Sequence, residues 1–229
     1  MATSDGPNIS SDELVLCLDP TDINSYPGSG TTLFDMAGSN YDASFQGSPT
    51  YSDNSIVYNG STDYLQISDN TTLRGTAEKT FSIWVKFDTL SVATAISLFC
   101  KRSSGTDVDY FIFVFTSAGN GITFDYGYDA GGLYRWNTGY APPINTWLNI
   151  TFTRNASKRE FYLNGEYYSE TANIGAVGNS SSSLLIGRNT TTSAYYLNGN
   201  TGPIHIWNRF LSAAEILHNF NATRKRYNV

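Results

Sequence analysis

The sequence of 229 residues contains little charge, little cysteine and no long apolar run. Only 15% of the residues are Asp, Glu, Lys or Arg, and 20 acidic side chains outnumber 14 basic ones. The resulting net charge of -6 has the wrong sign for neutralising phosphates, so no nucleic acid partner is expected. The longest apolar run, residues 110–115, is far shorter than the roughly 20 residues of a membrane-spanning helix, so no membrane insertion is expected.

The two cysteines, Cys17 and Cys100, are too few for a disulfide scaffold, and their spacing matches no metal motif. We expect two buried free thiols, with a single bridge between them as the alternative. The first residues have neither the basic start nor the apolar stretch of a secretory signal peptide. The chain is therefore expected to stay inside the cell that makes it, or to leave by lysis or by another machine.

Aromatic residues make up 14% of the chain, and short segments of alternating apolar and polar residues recur between turn-forming residues. This pattern is typical of antiparallel strands with one buried and one solvated face, so we expect an all-β fold with a large aromatic core. In segment 80–87, Ser82, Trp84 and Lys86 lie opposite the apolar odd-numbered positions, which predicts a second aromatic surface. Strands are predicted at residues 14–18, 55–58, 64–67, 80–87, 95–101, 110–116, 122–126, 147–153, 160–163, 184–186 and 204–208.

No linker interrupts the chain, so a single domain over residues 1–229 is predicted, with an N-terminal arm at residues 1–12. Within it, Asn164 and Gly165 separate two extended segments. Asn-Gly supplies the positive φ angles that a type I′ turn needs, so these residues predict a β-hairpin.

One short helix is predicted near the end of the chain, over residues 212–223. Ser212 and Glu215 have the spacing of a capping box, in which each side chain accepts a hydrogen bond from the other residue's backbone N–H. The basic residues of the tail, 224–229, follow the negative end of this helix. They either interact favourably with that end or form a solvated cluster.

A series of short motifs follows in order along nearly the whole chain. The motifs are Gly6-Pro-Asn-Ile9, Leu14-Val-Leu-Cys-Leu-Asp19, Ser25-Tyr-Pro-Gly-Ser-Gly-Thr-Thr32, Ile56-Val-Tyr-Asn-Gly60, Phe81-Ser-Ile-Trp-Val-Lys86, Tyr162-Leu-Asn-Gly-Glu166, Leu185-Ile-Gly-Arg188, Gly202-Pro-Ile-His-Ile-Trp207, Leu211-Ser-Ala-Ala-Glu-Ile216 and Asn219-Phe-Asn-Ala222.

This series resembles the laminin-G-like branch of the concanavalin A-like lectin/glucanase superfamily. The N-terminal motif, the Ser-Tyr-Pro-Gly loop and the ending resemble the single-domain versions carried by tailed marine phages, including those of cyanobacteria. The resemblance implies a concanavalin A-like jelly-roll sandwich of two antiparallel sheets with one short C-terminal helix. It also implies a protein made in the host cytoplasm and located in the virion.

The sequence does not predict an enzyme. Glycan-cleaving members of the superfamily use two carboxylates on one strand, because acid and nucleophile must flank the bond about 5 Å apart. Neither Glu-x-Asp-x-Glu nor Glu-x-Asp-x-x-Glu occurs, and the nearest pair, Glu166 and Glu170, is expected to be solvated at a strand edge. His205, on a predicted strand, and His218, on the predicted helix, are expected to be structural.

Calcium is a candidate ligand, although no cofactor is required by the sequence. The ion takes about 6–8 oxygen ligands, and lectin-like jelly rolls often hold one at a loop rim. The candidate ligands are Asp19 and Asp22 with Asn24, or Asp63 in its loop. The alternative is that these side chains hydrogen-bond their own turns.

Sugar binding favours flat aromatic faces beside polar groups that reach hydroxyls, and one cluster has this composition. The cluster consists of Tyr126, Tyr128, Asp129, Tyr134, Arg135 and Trp136. The alternative is that these aromatic residues line the sandwich or a subunit interface, where Tyr and Trp are also enriched.

Three hypotheses follow, in this order. The first is a non-enzymatic phage virion structural protein, a capsid decoration or tail-fibre component, with other virion proteins and host-surface glycans as partners. It is expected to be a homo-oligomer, because aromatic residues exceed what one sandwich core needs. The second is a free carbohydrate-binding lectin. The third, a glycoside hydrolase, requires carboxylates distant in sequence to converge.

Overall fold

The computed structural model describes residues 8–90, 95–104, 106–115, 121–129, 132–172, 174–190 and 195–229. Its strands are β1 (Leu14–Leu18), β2 (Thr32–Leu33), β3 (Ala43–Gln46), β4 (Thr50–Ser52), β5 (Ser55–Asn59), β6 (Tyr64–Ile67), β7 (Lys79–Phe87), β8 (Ala95–Arg102), β9 (Val108–Phe115), β10 (Ile122–Asp129), β11 (Gly132–Asn137), β12 (Trp147–Arg154), β13 (Arg159–Leu163), β14 (Glu166–Thr171), β15 (Leu184–Ile186) and β16 (Asn198–Trp207). Helix α1 spans Ala213–Thr223, and 3-10 turns lie at Thr71–Leu73 and Arg224–Tyr227.

The strands form two antiparallel sheets that enclose one core. The first sheet has the order β14-β13-β12-β7-β16-β5-β4, and the second has the order β11-β10-β9-β8-β15-β6-β3-β2. Strand β16 pairs with β7 on one side; on the other it pairs with β5 through residues 198–201 and with β1 through residues 204–207. The fold is therefore all-β, a concanavalin A-like jelly-roll sandwich with one short C-terminal helix, as predicted.

Alternation along β7 shows how the core is built. Phe81 and Ile83 lie in the core between the sheets, and the Phe81 ring contacts the rings of Tyr110 and Phe124 at 4.6 and 5.8 Å. Trp84 lies on the opposite, outer face of the first sheet. The second aromatic surface that the sequence predicts is therefore present.

Helix α1 and the following 3-10 turn cover this outer aromatic surface. Ser212 and Glu215 form the predicted capping box. The Trp84 ring stacks on Phe220 at 5.6 Å and on Tyr227 at 4.5 Å, and its Nε1 donates to Thr223 Oγ1 at 2.8 Å. The predicted tail is thus held against the domain by Tyr227, which completes this layer, whereas the basic side chains of residues 224–226 are exposed.

The described part of the N-terminal arm lies against the same helix. Ser10 N donates to Asn219 Oδ1 at 2.8 Å, and Trp207 Nε1 donates to the Ser10 carbonyl at 2.7 Å. His218 Nε2 is 2.7 Å from the Asn8 carbonyl oxygen. Residues 1–7 of the predicted arm lie outside the described residues.

The predicted hairpin and the free thiols are both present. Asn164 and Gly165 have φ angles of 51° and 79° between β13 and β14, as a type I′ turn requires. Cys17 and Cys100 are free and buried, on strands of different sheets. In the described part of the chain, no helix is both long and apolar enough to cross a bilayer.

Candidate functional site

Tyr126 of the predicted sugar-binding cluster belongs to the core. Its side chain is fully buried, and its hydroxyl donates to the Thr76 carbonyl and accepts from Thr76 N, at 2.8 and 2.9 Å. The Arg154 guanidinium lies 4.1 Å from the centre of its ring. Tyr126 therefore presents no face on which a sugar could stack, and for this residue the alternative, a core aromatic, is what the structure shows.

The other members of that cluster are divided between the two faces of β11. Trp136 packs against the core, edge-on to Phe152 at 5.9 Å, whereas Arg135 lies on the outer face and binds Asp125 through Nε and Nη2 at 3.0 and 2.9 Å. Successive strand residues point to opposite faces, which separates Arg135 from Tyr134 and Trp136. Tyr134 and Trp136 remain half-buried, so their contact with a ligand stays a prediction.

Tyr128 and Asp129 complete β10, where they pair with Leu133 and Gly132 of β11. Their side chains lie outside the described residues. Their proposed part in sugar binding therefore stays a prediction.

The predicted calcium ligands accept hydrogen bonds from nearby donors. Asp19 Oδ1 accepts from Thr21 N at 2.9 Å, and Asp19 Oδ2 accepts from Arg226 Nη1 at 2.6 Å. Asp22 Oδ1 accepts from the backbone and the side-chain amide of Asn24, at 2.8 and 2.9 Å. This geometry is that of Asx turns.

The Asp63 carboxylate likewise accepts hydrogen bonds from backbone N–H groups. Its Oδ1 accepts from Ser48 N at 2.8 Å and its Oδ2 from Asn59 N at 3.2 Å. Within the described ranges, no three His, Cys, Asp or Glu side chains are grouped closely enough to hold a metal ion. Calcium binding stays a prediction.

A cavity of about 130 Å³ brings Cys17, Asp19 and His205 together on the outer face of the first sheet. Cys17 and His205 are direct partners across β1 and β16. Burial raises the pKa of the Cys17 thiol to about 12 and lowers the pKa of His205 to about 4. At neutral pH the thiol therefore stays protonated and the imidazole neutral, which is unsuited to nucleophilic chemistry.

The carboxylate pair Glu166 and Glu170 lies on the edge strand β14. Both side chains are exposed or half-exposed, and Glu170 pairs with Lys158 at 3.1 Å. This placement agrees with the expectation of solvated charges at a strand edge.

A larger surface pocket, of about 420 Å³, lies where β3 begins and β6 ends. We call it the Tyr41–Asn70 pocket; its lining residues are Asn40, Tyr41, Asp42, Ile67, Ser68, Asp69 and Asn70. Ser44 is paired with Gln66 in the antiparallel β3–β6 ladder, so residues 40–42 face residues 68–70 across the two strand ends.

Hydrogen bonds hold the two sides of this pocket together. Tyr41 donates its hydroxyl to Asn70 Oδ1 at 2.9 Å, and Asn70 Oδ1 also caps the 3-10 turn by accepting from Thr72 N. Asp42 Oδ1 accepts from Asp35 N at 2.9 Å. The pocket is therefore formed before any ligand arrives.

Two cations fix the carboxylate at the base of the pocket. Asp69 accepts from Arg74 Nη2 and from Lys101 Nζ, both at 2.5 Å. Hydrogen bonds from Arg74 first, and then from Lys101, hold the pKa of Asp69 below its usual value. Lys101 is fully buried and also donates to the Ser182 carbonyl at 2.5 Å, which fixes its position.

Several hydrogen-bonding groups of the Tyr41–Asn70 pocket remain free. Among the described residues, no partner lies within hydrogen-bond distance of the Asn40 amide, Asp42 Oδ2, Ser68 Oγ or Asn70 Nδ2. Free amide, hydroxyl and carboxylate groups beside a tyrosine ring can bind the hydroxyls and one apolar face of a sugar. This site is not among those that the sequence predicts, because its one local signal is the polar run Ser68-Asp69-Asn70 after a predicted strand.

Comparison with known proteins places these features in a wider context. A family model described as Concanavalin A-like lectin/glucanases superfamily matches residues 59–217. No curated protein sequence matches the chain.

Solved structures share the fold at low sequence identity. Domain 4 of AbnA, an extracellular arabinanase from Geobacillus stearothermophilus solved with arabinotriose, has a TM-score of 0.70 and 17% identity, over 91% of this chain and 98% of that domain. The binding domain of Paraclostridial Mosquitocidal Protein 1 has a TM-score of 0.70 and 16% identity, over 92% of this chain. The botulinum neurotoxin serotype D binding domain has a TM-score of 0.68 and 15% identity, also over 92% of this chain. The chain spans about half the length of these two binding domains, 52% of each.

Proposed function

Because the chain belongs to the concanavalin A-like lectin/glucanases superfamily, we propose that it is a non-enzymatic saccharide-binding protein that uses the Tyr41–Asn70 pocket. The observation that carries the proposal is a preformed pocket of about 420 Å³ in which free polar groups surround a tyrosine. Its volume suits one sugar unit of a longer chain. That the structurally similar arabinanase domain was solved with arabinotriose supports a saccharide as the ligand class.

The electrostatics of the pocket favour binding over hydrolysis. Asp69, a half-buried carboxylate, is bound by two cations and kept ionised, so it has no proton to donate as a general acid. Asp42 is exposed on the opposite side and already accepts from a backbone N–H. Asp69 therefore lacks the raised pKa that glycosidic bond cleavage requires of its acid.

A glycan array followed by calorimetric titration tests this proposal. Arabinotriose and a panel of neutral oligosaccharides are the probes, and we expect Tyr41→Ala to weaken binding of the best probe by about tenfold or more. Tyr167→Ala is the matched control, because this exposed tyrosine lies on β14 in the first sheet. Thermal unfolding of each variant establishes that it remains folded.

Two results would contradict the proposal in different ways. If the wild-type protein binds no saccharide, the function is wrong. If Trp136→Ala abolishes binding while Tyr41→Ala does not, the site is instead the aromatic cluster predicted on β11.

We further propose that the protein is a structural component of a phage virion, as the resemblance of its motifs implies. Immunogold labelling of purified virions checks this. Label on the capsid shell supports decoration of the capsid, and label on the tail supports attachment to host-surface glycans. Unlabelled virions would contradict a virion role and leave a free lectin.

The virion role would include contacts with other virion proteins and self-association. Exposed apolar side chains are available for such contacts, notably Ile23 at 70% exposure and Phe34 at 43%. Sedimentation velocity at virion-like concentrations is expected to show an oligomer. A monomer across that range would contradict self-association alone.

A further inference from the structure

Arg188 occupies an unusual position next to two tyrosine rings. It follows β15, and its guanidinium carbon lies 4.7 Å from the centre of the Tyr64 ring and 5.5 Å from that of Tyr196. The two rings are 6.4 Å apart and inclined by 58°. All three side chains are half-buried, so the cation is flanked by aromatic faces and still reaches the surface.

The guanidinium of Arg188 has no anionic partner among the residues that the structure describes. Its Nε is buried and makes no hydrogen bond. By contrast, Arg74, Arg135, Arg209 and Arg226 each form an ion pair with an aspartate or glutamate. A buried N–H donor without an acceptor is unfavourable, and an anion that binds there removes this cost.

The surrounding face of the second sheet is locally positive. Its apolar base consists of Ala95, Cys100, Phe111, Phe113 and Leu185, with Tyr64 and Tyr195 packed against it. Arg102 lies 4.2 Å from the centre of the Phe111 ring, and Arg135 lies 5.3 Å from that of Phe113. Asp125 is paired with Arg135 on one neighbouring strand and with Phe111 on the other. It is the one described carboxylate in this row of paired residues, and Arg135 already binds it.

We propose that Arg188, with Tyr64 and Tyr196, binds the carboxylate of an acidic sugar, such as a uronic acid unit of a polysaccharide. A guanidinium fork presents two parallel N–H groups to a carboxylate, and a rotation of this half-buried side chain that turns Nε and one terminal nitrogen toward the ligand would satisfy the buried donor. The tyrosine rings offer flat surfaces to the C–H face of the sugar. This site is separate from the Tyr41–Asn70 pocket and does not depend on it.

Calorimetric titration of the full chain with trigalacturonic acid tests the proposal. Galactotriose is the neutral counterpart, and sodium sulfate and inorganic phosphate are the simple anions. We expect the acidic trisaccharide to bind at least about tenfold more tightly than any of these. Arg188→Gln should abolish the preference, and Arg188→Lys should weaken it about tenfold, because an ammonium keeps the charge without the fork.

Arg224→Lys is the matched control. Arg224 is an exposed arginine 5.9 Å from the centre of the Phe220 ring, on the C-terminal turn. Its substitution should leave binding unchanged, and thermal unfolding should show that every variant is folded. An NMR titration that follows the Arg188 Nε–H signal gives a readout at the proposed contact itself.

Three results would overturn the inference. They are equal binding by wild type and Arg188→Gln, equal affinity for the acidic and the neutral trisaccharide, and sulfate or phosphate binding as tightly as the acidic sugar. Tyr41→Ala separates the two sites, since it should reduce binding of neutral saccharides and leave the acidic sugar unaffected.

Discussion

His205 couples the stability of the domain to pH. Its imidazole is buried beside Cys17 on the outer face of the first sheet, and burial lowers its pKa to about 4. The Asp19 carboxylate opposes this shift, and Arg226 reinforces it. In the unfolded chain the His205 imidazole takes up a proton near pH 6.5, whereas in the folded chain it does so only near pH 4. The free energy of unfolding therefore falls as the pH drops from about 6.5 to about 4.

Between these two pH values the wild-type protein should lose up to about 3 kcal/mol of unfolding free energy. We therefore expect the unfolding free energy of His205→Gln to depend less on pH in this window. Urea unfolding at several pH values measures it. His218→Gln is the control, because His218 is the second histidine of the chain and its ring is exposed. An unchanged slope in His205→Gln would assign the acid sensitivity to other groups.

Lys101 is a second residue whose removal should be costly. Its fully buried ammonium binds Asp69 and lies 3.9 Å from Asp109 Oδ2, a buried oxygen without a hydrogen-bond partner in the described structure. Lys101→Met leaves both carboxylates without this cation and should lower the unfolding free energy by about 3–5 kcal/mol. The exposed Lys225→Met is the control. A loss below about 1 kcal/mol would show that the carboxylates become neutral or hydrated without penalty.

Among the secondary-structure elements, the C-terminal turn stabilises the domain through one aromatic side chain. Tyr227 is buried; its ring stacks on Trp84 at 4.5 Å and packs against the tilted ring of Trp147 at 4.4 Å. Tyr227→Ala should cost about 3 kcal/mol and shift tryptophan fluorescence to longer wavelength, because both indoles become hydrated. Tyr167→Ala, at an exposed position, should do neither.

Tyr227→Phe distinguishes packing from hydrogen bonding at this position. The Tyr227 hydroxyl is buried without a partner in the part of the chain that the structure describes. Removing it should leave stability unchanged or raise it, since no hydrogen bond is lost. A loss comparable to that of Tyr227→Ala would contradict the packing explanation.

The strands that the sequence predicts are those with a strong apolar pattern, either alternation or a short apolar run. Residues 14–18, 64–67 and 184–186 are strands with the predicted bounds, because each has one apolar face in a core. The missed strands lack that signal. Strand β4 is wholly exposed and β2 has two residues, whereas β14 is predicted only as the second arm of the hairpin and places the consecutive Tyr167 and Tyr168 both at the surface.

The candidate pocket illustrates what local patterns cannot provide. Residues 40–42 and 68–70 meet because β3 and β6 are neighbours in the sheet, a pairing set by the whole fold. The predicted cluster at 126–136 has the composition of a sugar site, yet strand alternation sends Tyr126 into the core and Arg135 to the outer face. Sequence composition identifies suitable residues, whereas strand pairing and alternation decide which of them share a surface.

On the scale of the whole molecule, aromatic residues form layers outside the central core as well as within it. Trp84, Phe220 and Tyr227 cover the first sheet, and Phe111 and Phe113 form an apolar layer on the second. The aromatic surplus that suggested an oligomer is thus largely used within one chain. The proposed self-association would therefore have to use the exposed residues named above.

The two free thiols report on the cooperativity of this layered structure. Cys17 and Cys100 lie on different sheets, both buried, and burial raises the pKa of each thiol. If both sheets unfold as one unit, the single-cysteine variants Cys17→Ser and Cys100→Ser should react with a disulfide reagent at the same slow rate under native conditions. Rates that differ by more than about tenfold would show that one sheet opens independently.

Finally, the contacts of Asn8 and Ser10 with helix α1 bring the two ends of the described chain together on one side of the sandwich. Circular permutation is therefore compatible with this fold: a short linker can join the ends, and the chain can be reopened at the exposed Asp53–Asn54 turn between β4 and β5. The same proximity leaves both ends of the described chain on the helix-covered side of the first sheet, whereas Arg188 lies on the second sheet.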